Sequence, residues 1–230
     1  MSALILSIAM LLDALLGEPR WLWNRAPHPA VLMGRLVRQL DTALNRDQVW
    51  QGTLALGLLI FVGALIGTVL SFGGALVEVI VVAILLAQRA LVQHVAAVGD
   101  GLRMSTAEGR RMVARIVSRD VRQADDSAIA RAAIESAAEN LSDGVIAPAF
   151  WFLSGGLPGI MVYKMINTGD SMIGYRTAQY ENFGKATARM DDLMNWIPAR
   201  FTAITIALIH GKLGAYRAIV ADAREMASVM

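Results

Sequence analysis

Cysteine is absent from the chain, which excludes a disulfide framework and any thiolate metal site. Histidine is almost as rare. His28, His94 and His210 are the only ones, and no two have the spacing of a metal-binding pair. Charged residues make up 17% of the chain, against about 25% in an ordinary soluble domain. The net charge of +2 is too small to argue for a nucleic-acid partner. No Gly-x-x-x-x-Gly-Lys-Ser/Thr run occurs, so any nucleotide binds without that loop. A cleaved leader is not expected, because no Lys or Arg precedes the first apolar stretch and no small-x-small site follows it.

What is abundant is apolar surface. The 230 residues are 56% hydrophobic, with mean hydropathy +0.50. That balance points to a membrane protein. Residues 3–16 read as a short first membrane helix with Asp13 inside it. Residues 52–92 read as a hairpin of two spans, 52–71 and 73–92, broken near 71–74. Each arm approaches the ~20 residues a crossing needs. Residues 197–210 form a last apolar run. The expected fold is all-α: one polytopic membrane helix bundle over 1–230, with amphipathic segments at 18–51, 93–144 and 167–196. Arginines crowd 18–51 and 93–144 and are absent from the 71–74 turn, so the positive-inside rule makes the basic side cytoplasmic. The tryptophans at 21, 23, 50, 151 and 196 suit interfacial anchors. Met112, Val113, Ile116 and Val117, set among arginines, suit a helix lying on anionic lipid.

Two stretches carry the chemistry. "AAIESAAENLSDG", 132–144, follows a helix start that Asp125 or Asp126 can cap. Arg131, Glu135 and Glu139 then share one helix face, with Arg131 placed to balance a glutamate, and Asp143–Gly144 ends the helix in a turn. The next segment, 145–166, is long enough to cross but holds Pro148, Gly155, Gly156 and Pro158. Broken helices at membrane depth occur only where protein packs on them or a cavity adjoins. A re-entrant hairpin bent at Gly155–Gly156 is therefore expected, with a plain crossing as the alternative. The hairpin would return the polar run 167–200 to the cytoplasmic side, where Asp191 and Asn195 stand four apart.

Three blocks stand out: "DALLGEPRWLWNRAPHPAVLMGRL", "SRDVRQADDSAIARAAIESAAENLSDGVIAPAFW" and "INTGDSMIGYRTAQYENFGKATARMDDLMNWIPAR". Together they resemble the CobD/CbiB family of cobalamin-biosynthesis membrane proteins, with Glu18 where the family more often has aspartate; His28 in the first block suits a rigid loop contact. Family members usually continue past the point where this chain ends, in "ADAREMASVM". The resemblance implies an adenosylcobinamide-phosphate synthase. Such an enzyme joins an amino-alcohol phosphate, such as aminopropanol phosphate, to a carboxylate of adenosylcobyric acid, using ATP and Mg²⁺. It implies an inner-membrane location with the site facing the cytoplasm. The partners it implies are the lipid bilayer, other membrane-bound corrin-assembly enzymes and a second copy of the chain.

Within that frame Glu135, Glu139 and Asp170 are the candidate catalytic groups. Asp143, Asp191 and Asp192 are the candidate metal ligands, since magnesium prefers carboxylates plus phosphate oxygens. Arg119, Asn140, Lys164, Asn167, Tyr175, Arg176, Asn195 and Arg200 are candidates for the anionic substrates. A magnesium-dependent phosphotransferase or prenyltransferase is a rival, but its Asp-x-x-Asp-Gly spacing is missing. An AmpE-like membrane sensor would not need such dense polar clusters. A transporter suits broken helices, but no internal repeat is present.

Overall fold

The computed structural model describes residues 1–209, and every regular element among them is helical. The helices are α1 (Ser2–Leu16), α2 (Arg20–Trp23), α3 (Pro29–Leu44), α4 (Val49–Ser71), α5 (Gly74–Leu85), α6 (Gln88–Met104), α7 (Thr106–Val113), α8 (Asp126–Leu141), α9 (Ala147–Ile173) and α10 (Lys185–Ile209). His210 and the mid-helix ending read into "ADAREMASVM" lie outside the described residues.

The chain is a polytopic membrane helix bundle. Val49–Ser71 is long and apolar enough to cross a bilayer, as are the stretches Gly74–Met104 and Asp126–Ile173 taken whole; α1 is apolar but shorter. Neither of the two long stretches is one straight rod. In the first, Leu86 is extended and Ala87 leaves helical geometry, so α5 and α6 are separate helices. The expected arm 73–92 thus stops at Leu85, because tertiary partners take the groups that would have continued it. The Ala87 N–H donates to the Gly144 carbonyl (3.0 Å). The Gln88 N–H donates to Asp13 Oδ2 (2.9 Å), so a carboxylate buried on α1 caps the start of α6. In return Arg89 donates to the Ala14 and Leu15 carbonyls at the end of α1. Gly17, at φ 57°, keeps that approach open: a Cβ there would lie 2.5 Å from Arg89 Cδ.

The second long stretch doubles back. Gly156 has φ 60° and ψ −152°, a conformation essentially confined to glycine, and splits α9 into an inbound arm and a returning arm. The arms are antiparallel. Tyr163 reaches back to the Asp143 carbonyl (3.3 Å), and a Cβ on Gly159 would lie 2.3 Å from the Trp151 carbonyl oxygen. Segment 145–166 is therefore re-entrant. Pro158 does not break the returning arm because it stands in its first turn, where no intrahelical donor is needed. The returning arm lies against α4: a Cβ on Gly67 or Gly63 would come 2.5 or 3.1 Å from the Cα of Pro158 or Val162. Such close backbone contact is how helices associate without a hydrophobic drive between them.

The helix at 126–141 does not end in a turn at Asp143–Gly144. It widens into a π turn, Ser142–Ile146, and runs straight into α9. Pro148 has no N–H to offer the Gly144 carbonyl, which is therefore free to accept from Ala87. Pro198 does the same in α10: the Met194 carbonyl it frees accepts from Trp151 Nε1 (3.2 Å). Trp151 thus ties the hairpin to α10, and Trp23 meets His28 edge-to-face, their ring centres 4.4 Å apart.

Three apolar clusters result. The largest fills the membrane bundle, with Leu59, Phe152, Leu157 and Ile160 among its buried residues. A second, of Leu56, Ala147, Tyr163, Ile166 and Met194, lies where α4, α9 and α10 meet. The third belongs to α6, α7, α8 and the loop before α8, with Val98, Val113, Val121 and Ile129 buried, and Met112, Ile116 and Val117 pack on it. The apolar residues expected to face lipid at 112–117 therefore face their own core. The helix there is only Thr106–Val113, capped by Ser105, which accepts from the Glu108 N–H (3.2 Å).

Candidate functional site

Because α9 returns, three polar segments meet at one end of the hairpin: the π turn, the returning arm and the start of α10. Asp191 is buried and its carboxylate is gripped from two sides. Asn195 Nδ2 donates to Oδ2 (2.9 Å) and Asn167 Nδ2 to Oδ1 (3.3 Å). The spacing of four along α10 puts Asn195 one turn from Asp191. Tyr163, fully buried, places its hydroxyl between the Asn195 side-chain oxygen (3.0 Å) and the Asp143 carbonyl (3.3 Å), and can donate to one of them at a time. Asp143 faces Asn167 as well, so one amide lies between two carboxylates. Lys164 lies in the field of both Asp143 and Asp191. None of the ion pairs among the described residues involves it. Burial raises the Asp191 carboxyl above its ordinary 3.8, while the bonds from Asn167 and Asn195 pull it down.

A groove of about 620 Å³ opens beside this cluster, lined by Arg119, Glu135, Glu139, Asn140, Ser171 and Tyr175 among others. Asp125 caps the helix that supplies its floor, accepting from the Ala128 N–H (2.7 Å). Glu135 pairs with Arg119 of the preceding loop, not with Arg131. Tertiary geometry explains that choice, because Ser136 Oγ donates to the Ile116 carbonyl (2.6 Å) and holds that loop on α8. Asn140 Nδ2 donates to the Ser136 carbonyl (2.8 Å), which fixes the amide at the groove's edge. Glu139 enters no such pair among the described residues and lines the groove.

The predicted residues thus fall into three sets. Asp143, Lys164, Asn167 and Asn195, all half-buried, form one cluster around the buried Asp191, with Asp170 in the field of Asp191. Arg119, Glu135, Glu139, Asn140 and Tyr175 line the groove. Asp192 and Arg176 stand exposed at the margin. Arg200 turns away: its guanidinium stacks 3.8 Å from the Trp196 ring centre and donates to the Trp196 carbonyl (2.5 Å). Sequence reasoning misses Tyr163, which sits within an apolar run. It also reads His28 as a loop contact, yet His28 lies in the field of Glu18 and Lys164. Its Nδ1 accepts from the Ala30 N–H (3.2 Å), which caps α3. Burial and Lys164 lower its pKa from the ordinary 6.5, with Glu18 opposing, so the ring favours its neutral form.

The same residues bear on metal binding. Among the described residues no group of three His, Cys, Asp or Glu side chains is arranged to hold an ion. Asp143 and Asp191 remain as a carboxylate pair beside amide oxygens. Such a pair fits magnesium, which takes one or two carboxylates and leaves the rest to water and phosphate.

Residues 6–229 match the CobD/Cbib protein family. The chain is 48% identical over 218 residues to the "Cobalamin biosynthesis protein CobD" of Rhizobium meliloti (strain 1021), covering 89% of this chain and 67% of that protein. It is 45% identical over 219 residues to the protein of that name from Brucella suis biovar 1 (strain 1330), again 89% and 67%. The match to that of Pelobacter propionicus (strain DSM 2379 / NBRC 103807 / OttBd1) is 40% over 230 residues, 95% and 70%. The chain thus spans about two thirds of the length of these relatives. No solved structure gives a significant match. The match over nearly its whole length, three sequence blocks in order and a re-entrant membrane bundle agree: the chain belongs to the CobD/CbiB family and is a membrane protein of cobalamin biosynthesis.

Proposed function

We propose that the chain forms an amide between an amino-alcohol phosphate and a propionate carboxylate of adenosylcobyric acid, driven by ATP, at the cytoplasmic face of the inner membrane. One observation carries this reading: a half-buried Asp–Asn–Asp–Asn cluster around the buried Asp191, with a lysine in its field that enters none of the ion pairs among the described residues, opening onto a polar groove. All the reactants are anionic, so they repel unless cations and donors gather them. Arg119 and Lys164 supply the cations on the protein side. A bound magnesium ion, held by Asp143 and Asp191, would neutralise phosphate charge.

A carboxylate does not acylate an amine unaided, because oxide is a poor leaving group. Transfer of the γ-phosphoryl group from ATP to the carboxylate releases ADP and gives an acyl phosphate. The amine attacks that carbonyl, the C–N bond forms as phosphate leaves, and one proton must be taken from nitrogen. Glu139 lines the groove and Glu135 is paired with Arg119, which supports Glu139 as the group that takes that proton. Asn140 and Tyr175 at the groove's edge orient the incoming groups. The corrin, large and fringed with polar arms, lies over the groove mouth instead of entering the bilayer.

The test supplies the detergent-purified chain with adenosylcobyric acid, aminopropanol phosphate, ATP and Mg²⁺, and follows the amide product and ADP by mass spectrometry. Stoichiometric amide and ADP are expected, and neither without ATP. Product formed equally without ATP, or no product although each substrate binds, overturns the reading.

A further inference from the structure

The proposed reaction needs a nucleotide, and the chain has no Walker loop to hold one. A second groove, of about 520 Å³, lies on the other side of the 116–118 segment from the first. The two grooves share Ile116, Val117, Ser118, Ser136 and Asn140, so the loop that Ser136 pins to α8 is a wall common to both. Ligands in the two grooves would meet at Asn140, three residues before Asp143.

The second groove has a different character. Ala87, Ala90, Leu91 and Val95 line it from the α6 side, while Ile116 and Val117 line it from the loop. Apolar side chains supplied by two elements suit a flat ring held between them. Polar groups gather at its other edge: His94 and Arg115 can carry positive charge, Glu18 negative, and Ser118, Ser136 and Asn140 are neutral. Apolar walls beside convergent polar groups, and that volume, are usual for a small-molecule or cofactor site. The N-terminus of α6 does not itself offer a phosphate seat, because Asp13 and Gly144 already take its first amides. A phosphate chain must therefore turn to Arg115, and Glu18 can accept from an exocyclic amine.

We infer that this α6 groove is the purine-nucleotide site, with the base between Ala90/Leu91 and Ile116/Val117 and the phosphates directed past Asn140 toward Asp143. The inference rests on the ATP-dependent reading above. The first groove, with Arg119 and Tyr175, is left for the corrin carboxylate and the amino-alcohol phosphate.

Equilibrium dialysis of the detergent-purified chain with radiolabelled ATP and Mg²⁺ tests it, alongside the amide assay. Ala90→Trp fills the groove from a helix position that is only partly buried. It should weaken ATP binding at least tenfold and leave the dissociation constant of adenosylcobyric acid unchanged. Arg115→Gln, which removes one charge-assisted contact without adding bulk, should weaken ATP binding by about tenfold. If both variants bind ATP like the parent while the parent makes amide, the location is wrong and the reaction stands. If Ala90→Trp loses the corrin and keeps ATP, the groove belongs to the corrin and the inference falls. If the parent binds no ATP at all, the inference falls, and ATP-independent amide formation would then sink the reading of the reaction as well.

Discussion

Helices α4 and α9 are of similar length, 23 and 27 residues, and pack against each other, yet they do opposite work. Helix α4 is uninterrupted, uncharged and a plain crossing. Helix α9 carries a lysine, an aspartate and an asparagine, bends at Gly156, and brings its far end back beside its beginning. In a bilayer an unpaired backbone group costs several kcal/mol, so interruption is tolerated only where something else takes the freed groups. Here Ala87 and Trp151 take the carbonyls freed by Pro148 and Pro198. The interruptions are thus also the joints that assemble the polar cluster.

The sharpest break in the comparison should come at the cluster. Asp191→Asn is expected to lower amide formation at least a hundredfold, because the buried charge is gone while the shape remains; insertion and expression should be unchanged. The same variant has a pH signature. The folded state holds the Asp191 proton more tightly than the unfolded chain, whose value is near 3.8. From there up to the raised value the folded state binds more protons, so stability falls as pH rises through that window. Asp191→Asn should flatten that slope in detergent-unfolding midpoints measured from pH 4 upward, and an unchanged slope would remove Asp191 as its source.

Glycine substitutions separate the two helices next. Gly156→Ala should cost about 1–3 kcal/mol, since the φ 60° bend disfavours any Cβ. Gly57→Ala in α4 meets nothing within 4 Å and should be neutral or slightly stabilising. Equal unfolding midpoints for the two variants would mean the bend stores no constraint. Topology sharpens the same point: cysteines introduced at Ser118 and Glu181 should both react with an impermeant thiol reagent from one side of the membrane. Labelling from opposite sides would contradict a hairpin that returns.

A smaller effect is expected at Pro148. Pro148→Ala restores an N–H that competes for the Gly144 carbonyl and should weaken the Ala87 tie by about 0.5–1.5 kcal/mol, read in the unfolding midpoint. Smallest of all is Arg200→Lys. With its guanidinium on Trp196, Arg200 reads as an anchor of α10, and all substrate dissociation constants should change less than about twofold, below the loss expected of a charge-assisted contact. A tenfold change would return it to the site.

Local pattern by itself determined much of this. Hydropathy over a window of about 20 residues reads 52–71 as a membrane helix, because burial in lipid needs only an unbroken apolar run, and the structure starts that helix at Val49. Gly155–Gly156 and two prolines settle that 145–166 is interrupted, because their backbone limits are local. Resemblance in three blocks settles the family. Only the tertiary structure decided how the groups combine. Periodicity could place Glu135 beside Arg131, but it could not see that a loop pinned by Ser136 delivers Arg119 instead. Nor could it tell that Asp13 caps a helix beginning 75 residues later, or that Tyr163 belongs to the polar cluster and Arg200 does not. A sequence window reports only a residue's neighbours along the chain, whereas these partners are chosen by helices that meet after the chain has turned back on itself.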